Sequence, residues 1–195
     1  LDTDHNAPRK HLLSVDDYHT MAQAGIFPER PRVELINGEI FDMAPIGPAH
    51  GSVVKQLNKR FTTAIKDEAI VSVQDSIRLG DLSQPEPDLC VLKNHKNFYA
   101  DAIPQAQDVL LLVEVAHSSL DFDSKTKARL YAAHGIMEYW LVDVVNRQLL
   151  IFKEPQKDGF GKVLTLRTPS SHCPDALAHV SIDMSGLFPA LPGSG

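Results

Sequence analysis

The sequence predicts an α/β fold: a mixed β-sheet flanked by helices, with an N-terminal helix and a β-hairpin in front of it. Three observations carry this. Asn37-Gly38 sits between two short alternating runs, and this dipeptide suits a two-residue hairpin turn because both central positions need positive φ. The stretch 50–66 places Val53, Val54, Leu57, Phe61 and Ile65 largely at spacings of three or four, the stripe of an amphipathic helix. Strand-like apolar runs then outnumber helices, which favours helices layered on a mixed sheet over a doubly wound arrangement.

Taken in order, Ser14-Val15-Asp16-Asp17 resembles a capping box, and Val15, Tyr18 and Ala22 recur at helical spacing before Gly25. In the hairpin 32–41, Val33, Leu35, Ile40 and Phe41 supply apolar contacts, while Glu34 and Ile36 share the opposite face. The amphipathic helix carries Lys55 and Lys59 four apart on its polar side. Strands are expected at 69–73, with a continuation at 76–79, then at 88–92 and 109–115. Pro85 and Pro87 keep the approach to Asp88 extended and out of a central strand. Residues 95–106 read as irregular, 118–123 offer helix caps, 126–134 have helix-forming composition, and Gly135 supplies a stop. A strand at 138–142 pairs with 148–152 through a turn at Asn146-Arg147, and patterning weakens from 162 onward. There is no internal repeat, and neither GxGxxG nor GxxxxGK[ST] occurs.

A chain of 195 residues can bury one substantial core, so one domain over 11–190 is expected, with tails at 1–10 and 191–195. The net charge of -6 argues against coating nucleic acid through bulk electrostatics, while leaving room for local basic patches. No apolar run approaches the roughly 20 residues of a spanning helix, and residues 1–10 lack an apolar leader, so no membrane partner and a cytoplasmic location are expected. Cys90 and Cys173 form neither a CxxC unit nor a disulfide framework and read as reduced thiols.

The chemistry centres on Glu114, which interrupts the apolar run Leu110-Leu111-Leu112-Val113-Glu114-Val115. An ionised carboxylate in a buried strand costs several kcal/mol (roughly, after relaxation) unless a metal ion or a lysine compensates it. A strand beginning at Asp88 beside one carrying Glu114 near its end brings two carboxylates to one sheet edge. That suits Mg²⁺ or Mn²⁺, which need only one or two carboxylates alongside water and phosphate oxygens. Such an ion stabilises charge developing on a phosphodiester and generates hydroxide from bound water.

These residues stand in a wider pattern: Glu34-Leu35-Ile36-Asn37-Gly38-Glu39, His50, Gln74, Pro87-Asp88, Val113-Glu114-Val115-Ala116, Ser118-Ser119, Asp123, Lys127, Tyr131, and 135–143. The whole resembles the Uma-two family of restriction-endonuclease-like proteins, within the PD-(D/E)XK nuclease group, over roughly residues 12–152. The resemblance implies a restriction-endonuclease-like core and a metal-dependent endonuclease acting on DNA with Mg²⁺ or Mn²⁺. By that resemblance Asp88 and Glu114 are the metal ligands, and Glu34 is a third acidic residue near the site. Ala116 stands where the parent motif has its lysine, and Lys127 on the next helix matches the displaced one. Lys125 points elsewhere, about 200° around the helix, and His117 has no assigned role. His50 and Gln74 are supporting residues.

Each of these residues also has a plainer reading. Asp88 suits a turn. Glu114 and Lys127 could form a structural buried pair, or Lys127 could bridge Asp123 on the helix surface. Glu34 could be an exposed hairpin carboxylate, His50 a cap or core partner, and Tyr131 and Trp140 core residues. The alternative function is a catalytically inactive nuclease fold that binds nucleic acid or a protein. A homodimer pairing through strand edges beyond Phe152 is a further expectation.

Overall fold

The computed structural model describes residues 8–29, 32–167 and 169–188. The tail expected at 191–195 and most of that at 1–10 lie outside the described residues. Within the first, Lys10 pairs with Glu39 at 2.5 Å.

Ser14 caps α1 (Val15–Gln23) as its capping box requires: its hydroxyl accepts the Asp17 N–H at 3.1 Å, and the Asp17 carboxylate accepts the Ser14 N–H at 2.9 Å. α1 lays Val15 and Tyr18 on Leu35 of the hairpin. The hairpin strands β1 (Val33–Ile36) and β2 (Glu39–Asp42) pair antiparallel around Asn37 and Gly38, whose φ angles are 51° and 78°. Gly38 is also required by space, since a Cβ there would lie 2.6 Å from the Leu12 Cβ. α2 (Pro48–Ile65) starts two residues before His50, on a proline whose fixed φ suits a first helical position.

Six strands form the main sheet: β3 (Ile70–Val73), β4 (Leu89–Leu92), β5 (Val109–Ala116), β6 (Glu138–Asp143), β7 (Gln148–Gln156) and β8 (Gly159–Leu166). They lie in sequence order, with β5 and β6 parallel and the other neighbours antiparallel. β9 (Ser171–His172) and β10 (Ile182–Asp183) form a separate ribbon. The sheet is therefore mixed, as expected.

Two cores cover its two faces. Leu89, Val91, Leu111, Val113 and Val115 pack under the α2 stripe, where Phe61 meets Trp140 edge-on at 5.7 Å. Cys90, Leu92, Leu112, Ala116 and Tyr139 pack on the other face, against Ile36 of the hairpin and Leu130 and Tyr131 of α3 (Ala128–Ala133). Side chains alternate along a strand, so Glu114 shares the α3 face with Leu112 and Ala116. Asp88, one residue before β4, falls on that face with Cys90. The register Leu89↔Val113 sets the two carboxylates side by side.

Trp140 is core with its polar atom satisfied: its indole N–H donates to the buried Glu138 at 2.7 Å, and Glu138 also accepts the Asp175 N–H at 2.6 Å, tying down the C-terminal segment. Both cysteines are free, Cys90 buried and Cys173 half-buried.

Three local expectations differ from the structure. Residues 76–79 are no strand: Gln74 takes φ 55°, and Ile77 and Leu79 donate their N–H groups to Pro85 and Ser83 of the following loop instead of to the sheet. The helix expected at 126–134 begins earlier, as a π-helical turn (Phe122–Lys127) in which the Ala128 N–H reaches the Asp123 carbonyl. β7 and β8 extend well past the patterned residues because each forms a long ladder with its neighbour. Among the described residues no helix is long and apolar enough to cross a membrane.

Candidate active site

Asp88 is delivered by the loop that Pro85 and Pro87 hold extended, and it is buried on the sheet's α3 face, 6% exposed as a residue. Its Oδ2 accepts the Val115 N–H at 2.9 Å and faces His50 Nε2 at 2.9 Å, while Gln74 donates to Oδ1 at 3.2 Å. Both supporting residues read from the sequence therefore touch Asp88. His50 comes from the first turn of α2 and Gln74 from the bend after β3.

Glu114, 4% exposed, accepts on Oε1 the Lys127 ammonium at 3.0 Å and the Tyr131 hydroxyl at 2.6 Å. Its Oε2 accepts a longer bond, 3.4 Å, from the Asp88 N–H. Lys127 comes from the end of the π-helical turn and is 1% exposed. Its Nζ also lies 3.0 Å from Oε2 and 3.3 Å from Oε1 of Glu34, with hydrogen-bond geometry to Oε1, so the Glu34 Oε2 has no hydrogen-bond partner. Glu34 is thus not an exposed hairpin carboxylate: β1 buries it at 1% beneath the helix. The surface i,i+4 bridge considered for Lys127 belongs instead to Lys125 and Asp121, at 3.0 Å.

Asp123 and Tyr131, which stand in the sequence pattern without an assigned site role, join the cluster. Asp123 is 3% exposed and accepts the Ser119 hydroxyl at 2.6 Å. Asp123, Lys127 and Tyr131 recur every four residues, a spacing that marks one helix face. A π-helical turn is rare and is often found at functional sites; here it opens the helix at the point where Asp123 and Lys127 turn inward.

The electrostatics are those of buried excess negative charge. Burial pushes Glu34 up to about 7, with Lys127 pulling the other way and Glu114 adding to the rise. Burial raises Glu114 as well, against Lys127 and with Asp88. Asp123 rises to about 7, through burial first and the Glu114 charge second. For Lys127, burial favours the neutral amine, but Glu114, Glu34 and Asp123 together outweigh it, so the ammonium persists above the ordinary lysine range. His50 is likewise pulled down by burial and held above its ordinary value by Asp88.

Most of these groups line a cleft of about 240 Å³, together with residues 44–49, His117, Ser118 and Ser119 and the partly exposed Arg32 and Glu86. A carboxylate offers about four acceptor sites. The least satisfied oxygens of the central pair are Asp88 Oδ1, with one donor, and Glu114 Oε2, with one long one. Among the described residues no group of three or more His, Cys, Asp or Glu is arranged to enclose a metal ion. The donor set fits an ion such as Mg²⁺ or Mn²⁺, which is content with two carboxylates and completes its shell from water and phosphate.

The chain is similar to a solved structure, a putative nuclease belonging to DUF820 from Anabaena variabilis, with a TM-score of 0.71. The two are 17% identical, and the match covers 90% of this chain and 97% of that one, a likeness of fold. No curated protein matches the sequence. The family model described as "Putative restriction endonuclease" matches residues 15–185, nearly the whole described chain, and the protein therefore belongs to the Uma2 family.

Proposed function

We propose that the protein is a divalent-metal-dependent endonuclease that hydrolyses DNA phosphodiester bonds, with Asp88 and Glu114 holding the ion. One observation carries this reading: three carboxyl groups, Glu34, Glu114 and Asp123, crowd a single buried ammonium, and each has its pKa raised. The cluster lacks positive charge, and a divalent cation supplies it.

When bound, the ion would polarise a phosphoryl oxygen and lower the pKa of a water molecule. The protein's own groups do the rest. Val115, His50 and Gln74 aim the Asp88 carboxylate, and Tyr131 and Lys127 aim that of Glu114. Lys127 stays protonated, so its role is electrostatic: an ammonium fixed on Glu114, behind the proposed ion, offsets negative charge at the site without touching the phosphate. Glu34 keeps that ammonium charged and in place. Overall, water adds to phosphorus, one P–O ester bond breaks, and the water's two hydrogens end on the new phosphate, where one ionises, and on the departing hydroxyl.

Purified protein with Mg²⁺ or Mn²⁺ should cut DNA, and Asp88→Ala should not. Cutting that persists in Asp88→Ala counts against the assignment.

A second reading, a nuclease fold that binds nucleic acid or a protein without cleaving, is favoured by Ala116, which is buried and apolar where the parent motif has a lysine. Calorimetric titration separates the two. Absence of Mn²⁺ binding at millimolar concentration, or binding indifferent to Glu114→Gln, selects the second.

A further inference from the structure

We propose that Arg32 is the phosphate-binding side chain of the cleft, held on Glu86 in the free protein and handed to a phosphate of the nucleic-acid substrate when that binds. This rests on the nuclease reading above and extends it to a residue that neither the motif pattern nor the metal chemistry involves.

The argument begins with charge. Among the described residues lining the cleft, Glu34, Glu86, Asp88, Glu114 and Asp123 are acidic, and only Arg32 and Lys127 carry a permanent positive charge. A polyanion entering such a cleft meets repulsion unless cations receive it. Lys127 cannot receive it directly: its side chain is 2% exposed and its ammonium is engaged by Glu34 and Glu114. Arg32 can. Its side chain is 36% exposed, it lines the cleft, and it lies immediately before β1, so the strand that places Glu34 in the buried cluster also places Arg32 within reach of solvent. Its carbonyl accepts the Met43 N–H at 2.8 Å, which fixes its backbone against the wall formed by residues 44–49.

Its present partner is one it can leave. Nη1 lies 3.2 Å from Glu86 Oε2 in a half-exposed pair, the kind of ion pair that adds little stability. Glu86 lies between Pro85 and Pro87, which restrict the backbone there, and its Oε1 is 3.5 Å from the Ser76 hydroxyl, so it keeps a polar neighbour when the guanidinium swings away. A phosphate presents the same spaced oxygens as a carboxylate, and guanidinium binds either in a forked geometry. The exchange swaps one anionic partner for another without exposing a buried charge.

The test is steady-state cleavage of a labelled DNA oligonucleotide by the full chain with Mg²⁺ over a series of salt concentrations, with direct binding by fluorescence anisotropy in the same buffer. Arg32→Ala should raise KM, or weaken binding, about tenfold on every DNA sequence and reduce the salt-dependence slope by about one, with kcat nearly unchanged. Arg32→Lys should fall between. Glu86→Gln should lower KM, and that gain should vanish in the Arg32→Ala background, which separates release of Arg32 from simple loss of a negative charge. Because Glu86→Gln is read as a gain, a folding defect in Arg32→Ala does not imitate the result. If wild-type protein cleaves DNA and Arg32→Ala leaves affinity and slope alone, or the Glu86→Gln gain survives without Arg32, this inference falls and the nuclease reading stands; if wild-type protein binds DNA without cleaving it, the nuclease reading falls and the anisotropy data alone decide the role of Arg32. If wild-type protein neither cleaves nor binds DNA, both fall.

Discussion

The main-chain N–H of Asp88 points at the Glu114 carboxylate, 3.4 Å away, and the Val115 N–H returns a 2.9 Å bond to the Asp88 carboxylate. The two acidic side chains are therefore held by the backbones of neighbouring strands, and their spacing is a property of the sheet. Rigid elements position a site more accurately than loops do, and the consequences can be measured.

Among the described residues Lys127 is the only ammonium between Glu34 and Glu114, so its removal leaves buried carboxylates uncompensated. Lys127→Met should destabilise the protein by about 3–5 kcal/mol at pH 8. The loss should shrink near pH 5.5, where Glu34 holds its own proton, and Glu34→Gln should recover part of it at pH 8. Denaturant unfolding at the two pH values reads this directly. An equal loss at both would mean the charge cluster is not what the lysine serves.

Glu34 and Asp123 keep protons up to about pH 7 when folded, against ordinary values of 4.5 and 3.8. Between those limits the folded state binds more protons than the unfolded one, so stability is greater at the acid end and falls as pH rises toward 7. Each tenfold difference in proton affinity between the folded and unfolded states is worth about 1.4 kcal/mol, so one such group contributes on the order of 3–4 kcal/mol. The Tm of metal-free protein should decline from pH 5 to pH 8. Mn²⁺ should raise it more at pH 8 than at pH 5, because the ion and the protons compete. A larger Mn²⁺ effect at pH 5 contradicts the linkage.

Tyr131 donates its hydroxyl to Glu114 at 2.6 Å from a fully buried position. Tyr131→Phe keeps the ring contact with Tyr139 and deletes only the donor. Stability should fall by about 1–3 kcal/mol, and cleavage should weaken while circular dichroism stays native. Unchanged unfolding and unchanged cleavage would make the hydroxyl incidental.

His50 and Gln74 touch Asp88 without being counted as ligands. Residues that orient a ligand typically account for about 10–100-fold in metal affinity. His50→Ala and Gln74→Ala should each weaken Mn²⁺ binding in calorimetry to that extent, and the double variant should weaken it further. Affinities equal to wild type would reduce both contacts to packing.

Elements whose signal is local were legible in the sequence. The α1 cap at Ser14, the turn at Asn37-Gly38 and the α2 stripe ending at Ile65 stand as read, because capping, positive φ and helical periodicity are decided within a few residues. The run 76–79 differs for the complementary reason: an apolar alternation is compatible with a strand, but whether its N–H groups meet a sheet or the loop carrying Ser83 and Pro85 is a long-range matter. Asp123 and Tyr131 looked like a surface partner and a core ring. A four-residue spacing through Lys127 was the available hint, but nothing local tells that this face of the helix is the buried one.

By itself, then, the sequence determined most of the elements and the mixed character of the sheet, since capping, periodicity and alternation are short-range patterns, and it raised the juxtaposition of Asp88 with Glu114 as an expectation that the strand register then met. Tertiary structure alone decided that Glu34 meets Lys127 across 93 positions, that the lysine is buried and charged, and that Arg32 rests on Glu86 beside the cleft. Burial and charge crowding depend on what the fold stacks above a residue, and that is a property of the assembled layers.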